Sequence, residues 1–371
     1  MILGVLPEQG GSLRNLRQSG QDQRFVSGYL TKYATAFSRV LYFSYAAEDD
    51  ALPEGCELVA NRSGLHRWAY AFSLPFVQAQ RFRGCHVLRV MQLTGEIPAL
   101  LAKLLYGVPF AATYGYHYSE HARADGAGGF RAKLFAVRTR VVLKLADRII
   151  VTNPAIKAEI ERQVGAERIA FLPNGVDIKR FAPGQTESTD GPILLFVGRL
   201  SPQKNLPLLL EAAARLHPRV VVRMIGTGSM REELVSQAKR LELELQLPGI
   251  VAHEDLPEEL RRASLFVMTS RIEGHPKALL EAMACGCVCV ATHAPGVSEL
   301  LEHRVTGLLC AAEPDELADH LKLALADQHL RERLSVNARQ RVERDFSLDS
   351  ILSREVEMLK QLASTRRLAI P

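Results

Sequence analysis

The chain has 371 residues, which is long for one domain and suits two of roughly 150–200. Its apolar content of 47% and charged content of 23% are those of a globular protein, and no apolar run approaches the roughly 20 residues a membrane span requires. Net charge is +5, but without a recognisable binding motif or an aromatic-rich basic stripe it gives no support to a nucleic-acid partner.

Short apolar runs alternate with helical patterns along the whole chain, which predicts parallel α/β layers. In the first half strands are expected near 2–6, 39–44, 56–60, 86–92, 109–114, 148–152 and 169–172. Helices are expected between them, among others over 66–82, 96–106 and 130–146. Residues 1–6 are apolar but lack the basic start and the length of a secretory signal, so a cytoplasmic protein is expected. After the first strand comes Gln9-Gly10-Gly11-Ser12, too short for a dinucleotide fingerprint. Gly10 and Gly11 suit either a tight turn or the close approach of a ligand.

Over 130–146, apolar residues at 130, 134, 137, 141 and 145 form a helical stripe beside Arg131, Lys133, Arg138, Arg140 and Lys144. Two readings stay open. The stripe packs on its own sheet with the cations solvated, or the segment 130–148 lies on an anionic membrane as a peripheral contact. Residues 1–175 carry 21 Lys/Arg against 14 Asp/Glu, whereas 176–371 carry 25 against 27. The basic half therefore suits an anionic acceptor or the inner face of a membrane.

The charge balance changes sign near Pro173-Asn174-Gly175-Val176-Asp177, which leads into the polar stretch 183–191. This predicts an amino-terminal domain over 1–175 and a second over 176–345. A closing helical segment over 346–371 is expected to pack back towards the first domain. In the second half strands are expected near 192–197, 219–225, 248–252, 264–269 and 287–291, with helices beginning near 205, 229, 256, 277 and 314. Two such sheets, hinged at the linker, would present the carboxyl ends of their strands to a central cleft, the place where α/β folds bind ligands.

Three strand-to-helix turns of the second half carry chemistry. The first, Val197-Gly198-Arg199-Leu200-Ser201-Pro202-Gln203-Lys204, places two cations where they can neutralise a diphosphate. The second, Gly226-Thr227-Gly228, is weak by itself. The third, from Glu273-Gly274-His275-Pro276-Lys277-Ala278 to Glu281, is the most informative. Pro276 suits the first helical position, and the amides behind it form an anion site at the positive end of the helix dipole. Glu273 stands just before that site and Glu281 little more than a turn beyond, so both reach uncharged polar groups flanking a phosphate. A nucleotide sugar has that shape. Cys285, Cys287 and Cys289 read as small fillers on one face of a buried strand, because zinc spacing is missing.

Together, Pro173 to Asp177, Val197-Gly198-Arg199 with Lys204, Gly226-x-Gly228, and Glu273-Gly274-x-Pro276 with Glu281-Ala282 resemble the retaining, GT-B fold glycosyltransferases of family 4. The resemblance is strong over 170–310 and diffuse before it. It implies two Rossmann-like domains, with the nucleotide sugar held mainly by the second. By the same resemblance Arg199 and Lys204 hold the diphosphate, Glu281 the ribose, and Glu273 the transferred sugar. The amides near Lys277 and Ala278 would face the phosphates, with Gly274, His275 (through its backbone), Pro276, Gly226, Gly228, Gly10, Gly11 and Asn174 lining the substrate.

The family histidine near the reactive centre has no clear counterpart, and His117 is the candidate, with His121 close by. The family needs no cofactor or divalent metal, and the chain has no Asp-x-Asp. The expected reaction transfers a sugar from a nucleoside diphosphate to a hydroxyl acceptor, with lipid-linked glycans among the candidates. A nucleotide-sugar epimerase on the same fold and a catalytically silent nucleotide-sugar-binding subunit are the competing readings.

Overall fold

The computed structural model describes residues 1–115, 129–184, 191–217 and 219–366. They form two compact units, Met1–Pro173 with the chain from Ser350 onward, and Asn174–Asp349.

The first unit is built on seven parallel strands in the order β3-β2-β1-β4-β5-β6-β7. In chain order they are β1 Ile2–Leu6, β2 Arg39–Phe43, β3 Cys56–Val59, β4 Val87–Val90, β5 Phe110–Tyr114, β6 Arg148–Val151 and β7 Ile169–Phe171. The central strands are largely apolar, Arg89 of β4 being the charged exception, because both faces are covered. Leu6, Leu41 and Phe43 turn to the side packed by the helices Arg67–Val77, Glu96–Tyr106 and Gly129–Leu145. Leu3, Val5 and Val40 turn to the opposite side, closed by helices within 13–36 and by Leu348–Ser364, which inserts Ile351, Leu359 and Leu362. That last helix is fixed by a buried polar link. Glu355 pairs with Arg89 of β4 and accepts from the Tyr33 hydroxyl at 2.8 Å.

The described part of the stripe on Gly129–Leu145 does not pack on the sheet. Val142 and Leu143 are buried, while Val137, Val141 and Leu145 face outward. Residues 130 and 134 of the stripe have side chains outside the described set, as do His117 and His121 altogether.

The second unit is built on six parallel strands in the order β10-β9-β8-β11-β12-β13. These are β8 Ile193–Val197, β9 Val221–Ile225, β10 Glu244–Gly249, β11 Leu265–Met268, β12 Cys289–Thr292 and β13 Leu308–Cys310. Alternate residues again divide between two layers, Leu194 and Phe196 on one side, Leu195 and Phe266 on the other. The strand expected at 248–252 lies at 244–249, where Glu244 and Gln246 alternate with Leu245 and Leu247 on an outer strand. The three-residue β13 is too short to leave a pattern in the sequence. Of the three spaced cysteines only Cys289 is in a strand. Cys285 caps the preceding helix and Cys287 lies in the connection, although all three are buried. The linker is pinned by backbone bonds from Val176 N to Phe346 O and from Leu348 N to Val176 O, both 2.9 Å.

Candidate functional site

In the second unit the loops after β8 and β11 are zipped together at the carboxyl ends of their strands. Arg271 N donates to Gln203 O at 2.9 Å, the Gln203 amide to Ile272 O at 2.7 Å, and the Thr269 hydroxyl to Lys204 O at 2.9 Å. This lacing brings two residues 69 positions apart into an ion pair: Lys204 Nζ lies 2.5 Å from Glu273 Oε1, both largely withdrawn from solvent. Arg199, by contrast, is exposed, and among the described residues no hydrogen bond or ion pair engages its guanidinium. The site thus has one cation already paired and one available.

The turn carrying Glu273 sits on backbone that sequence reading did not identify. Glu273 N donates to Pro295 O at 2.9 Å, and a Cβ on Gly296 would lie 2.2 Å from Glu273 O. Gly296 also has φ +82°, so only glycine fits comfortably. Gly226 and Gly228, expected to line the substrate, have a packing reason of their own. Their Cβ directions run into Gly198 O at 2.0 Å and Leu200 O at 2.1 Å, so they let the β9 loop support the loop that holds Arg199.

Helix Lys277–Ala284 begins where expected, but Pro276 stands just outside its first helical position. Pro276 is its N-cap, with φ −70° and ψ 113°, and its carbonyl accepts from Leu280 N at 3.3 Å. A proline has no polar side chain, so the Ser, Thr, Asp or Asn oxygen that usually caps a first turn is not supplied by the N-cap residue. The first short helix of the other unit makes the contrast. The amides of Leu13 and Arg14 are taken by the Glu48 carboxylate at 3.1 and 3.0 Å, leaving no room there for a foreign anion. Gly10 (φ +85°) and Gly11 form the turn before it, and Gly11 N closes the turn on Glu8 O at 2.8 Å.

Glu281 lies in the second turn of Lys277–Ala284 and is 4% exposed. Its Oε1 is 3.0 Å from His253 Nε2, a buried partner outside every sequence motif. Asn174, expected among the substrate contacts, donates its side-chain amide to His275 O at 2.7 Å and so steadies the Gly274–Pro276 turn. The His275 carbonyl, expected to face the substrate, is taken by Asn174. The His275 ring is buried edge-on against Phe346, and burial together with the nearby Lys277 charge pushes its pKa from 6.5 down to about 3. His275 is therefore neutral at any ordinary pH.

Two family descriptions match the chain in succession: "Glycosyl transferase 4-like domain" over residues 11–175 and "Glycosyl transferases group 1" over 177–341. The chain belongs to the group 1 glycosyltransferases. Among the relatives of this glycosyltransferase is glycogen synthase of Mycobacterium tuberculosis, 29% identical over 68% of the chain. The match spans 63% of that relative's own length. Sucrose-phosphate synthase from Thermosynechococcus elongatus superposes with a TM-score of 0.79 at 21% identity, covering 98% of this chain and 99% of its own. Anabaena HepE, solved in complex with UDP, gives 0.77 at 22% identity, covering 97% and 100%. These likenesses make the fold GT-B, two Rossmann-like domains each with a parallel sheet.

Proposed function

We propose that this glycosyltransferase moves a sugar from a nucleoside diphosphate to a hydroxyl acceptor, with retention and without a divalent metal. The observation that carries the reading is the grouping at the end of the second sheet. A helix start led by Pro276, an available Arg199, a paired Lys204–Glu273 and a buried Glu281 lie on the loops after the adjacent strands β8 and β11 and on the helix that follows. Each matches a part of the donor. The amides near Lys277 and Ala278 and the cations Arg199 and Lys204 suit the two phosphates. Glu281, held by His253, suits the ribose hydroxyls. Glu273, held by Lys204, suits hydroxyls of the transferred sugar.

In the reaction the bond between the anomeric carbon and the phosphate oxygen breaks, and a new bond forms from the acceptor oxygen to that carbon on the same face. The acceptor proton passes to the departing phosphate. Negative charge grows on the diphosphate as positive charge grows on the sugar, so preformed positive groups stabilise the transition state more than the ground state. Here the cations and helix amides take the place a metal would hold. Glu273 and Glu281 are binding groups in this scheme, and His117 is the candidate acceptor-side group. The acceptor hydroxyl belongs to a glycan, a lipid-linked glycan or a small molecule.

The test is thermal shift against UDP, GDP, ADP and CDP and their sugars, with and without EDTA, followed by donor turnover. UDP is the first to try, because HepE was solved with it. Stabilisation by one nucleotide, indifferent to EDTA, with turnover of its sugar to an α-linked product from an α-linked donor, is expected. Stabilisation without any transfer or hydrolysis would instead point to a silent sugar-nucleotide-binding subunit.

A further inference from the structure

The first unit carries a surface of exposed apolar side chains to which no role in donor binding is assigned. On helix Arg67–Val77, Trp68, Phe72 and Phe76 recur every fourth residue, and Phe72 and Phe76 are 55% and 58% exposed. On the adjoining helix Glu96–Tyr106, Leu104 is 71% exposed, and Val137 and Val141 face outward from Gly129–Leu145. The three helices are tied side by side. The Tyr106 hydroxyl donates to Pro75 O at 3.0 Å, and Lys103 Nζ donates to Leu145 O at 2.7 Å. Arg138 spans all three, pairing with Glu96 at 2.6 Å while its guanidinium lies 5.2 Å from the centre of the Trp68 ring. Their inner residues share one core, so the exposed side chains lie on the face turned from the sheet.

The charge around this face is predominantly positive even after Arg81, Lys103 and Arg138 are paired with Glu57, Asp147 and Glu96. Over 67–84, 96–106 and 129–145 the sequence has nine Lys/Arg and a single acidic residue, Glu96, which is buried against Arg138. We propose that this face docks on an anionic phospholipid bilayer, with Phe72, Phe76 and Leu104 entering the headgroup boundary and Arg140 and Lys144 meeting lipid phosphates. A lipid surface supplies both apolar depth and anionic charge, the two signals that stable peripheral attachment requires. A second copy of the chain fits poorly, because a two-fold contact through this face would set cations against cations. The inference is independent of the donor site, which lies on the other unit.

The experiment is flotation of the intact protein with vesicles of phosphatidylcholine alone, or with about a third phosphatidylglycerol, at low and high salt. The expected result is capture by the anionic vesicles, weakened by salt. Phe72→Ser with Phe76→Ser, and separately Arg140→Glu with Lys144→Glu, should each lower capture roughly tenfold. Circular dichroism checks folding, and Leu104→Asn is the milder variant should the serine pair misfold. Nucleotide-induced thermal shift, read in parallel, should be the same in all variants. Failure of the wild type to bind either vesicle overturns the proposal, and so does binding that neither variant pair reduces. Self-association that the serine pair abolishes, without vesicle binding, assigns the face to a second copy.

Discussion

His275 offers a test of how tightly the donor-side turn is built. Its pKa is pushed down from 6.5 to about 3, first by burial and then by Lys277. The folded protein therefore binds fewer protons at this site than the unfolded chain wherever pH lies between those values. The contribution is fully present above about 6.5 and is lost as pH falls towards 3. From about pH 7.5 to about pH 5 the linkage relation gives a loss of about 2 kcal/mol from this one imidazole. His275→Gln removes the titration, so the difference between wild type and variant should change by that amount over the interval, whatever the variant's starting stability. Hydrogen exchange in helix Lys277–Ala284, corrected for the intrinsic rate, reads the unit that holds His275. The single tryptophan, Trp68, reports on the other unit and would miss the effect. Parallel pH profiles for the two proteins would refute the reasoning, since they would mean that the ring reaches water when protonated.

Arg199→Ala should lower turnover by roughly a hundredfold to a thousandfold, as the loss of one preorganised transition-state contact does. Its melting temperature should be unchanged because the side chain is exposed and unengaged among the described residues. Glu281→Ala should raise the Kd for the nucleotide roughly tenfold or more, with a smaller change in kcat, since a ribose contact serves ground and transition states alike. His253→Ala should give the same pattern more weakly and cost about 1–3 kcal/mol of stability, because it strips a buried carboxylate of a partner. Normal nucleotide affinity in both would remove Glu281 from the donor site. Gly296→Ala should destabilise the second unit by about 1–3 kcal/mol through its positive φ and its collision with Glu273 O. It should also lower activity, and wild-type melting and kinetics would show that the turn relaxes freely.

What could be read from the chain alone follows from where the information lies. The inner strands of both sheets were legible because burial on two faces leaves largely apolar runs, and the candidate site could be proposed where its parts share one loop and helix, as Glu273 and Glu281 do. Gly296 and His253 were not, because each matters through a neighbour far away in sequence: Gly296 by the backbone oxygen it must avoid, His253 by the carboxylate 28 positions on that it holds. Pro295-Gly296 did carry a turn signal, without saying what the turn supports. Helix Arg67–Val77 shows a different limit. Tyr70 and Leu74 form one apolar stripe and Trp68, Phe72 and Phe76 another, and a helix apolar on two sides does not declare which side is inward. Only the sheet decides it, by accepting Tyr70 and Leu74 and leaving the phenylalanines outside. The same selection acts on Gly129–Leu145, where Val142 and Leu143 go inward and Val137, Val141 and Leu145 of the more regular stripe stay out. Two helices of one layer that each expose an apolar side, with cations in excess over carboxylates around them, are hard to explain by folding alone, since these side chains do not add to the core. A surface that folding does not require is where a partner is to be sought.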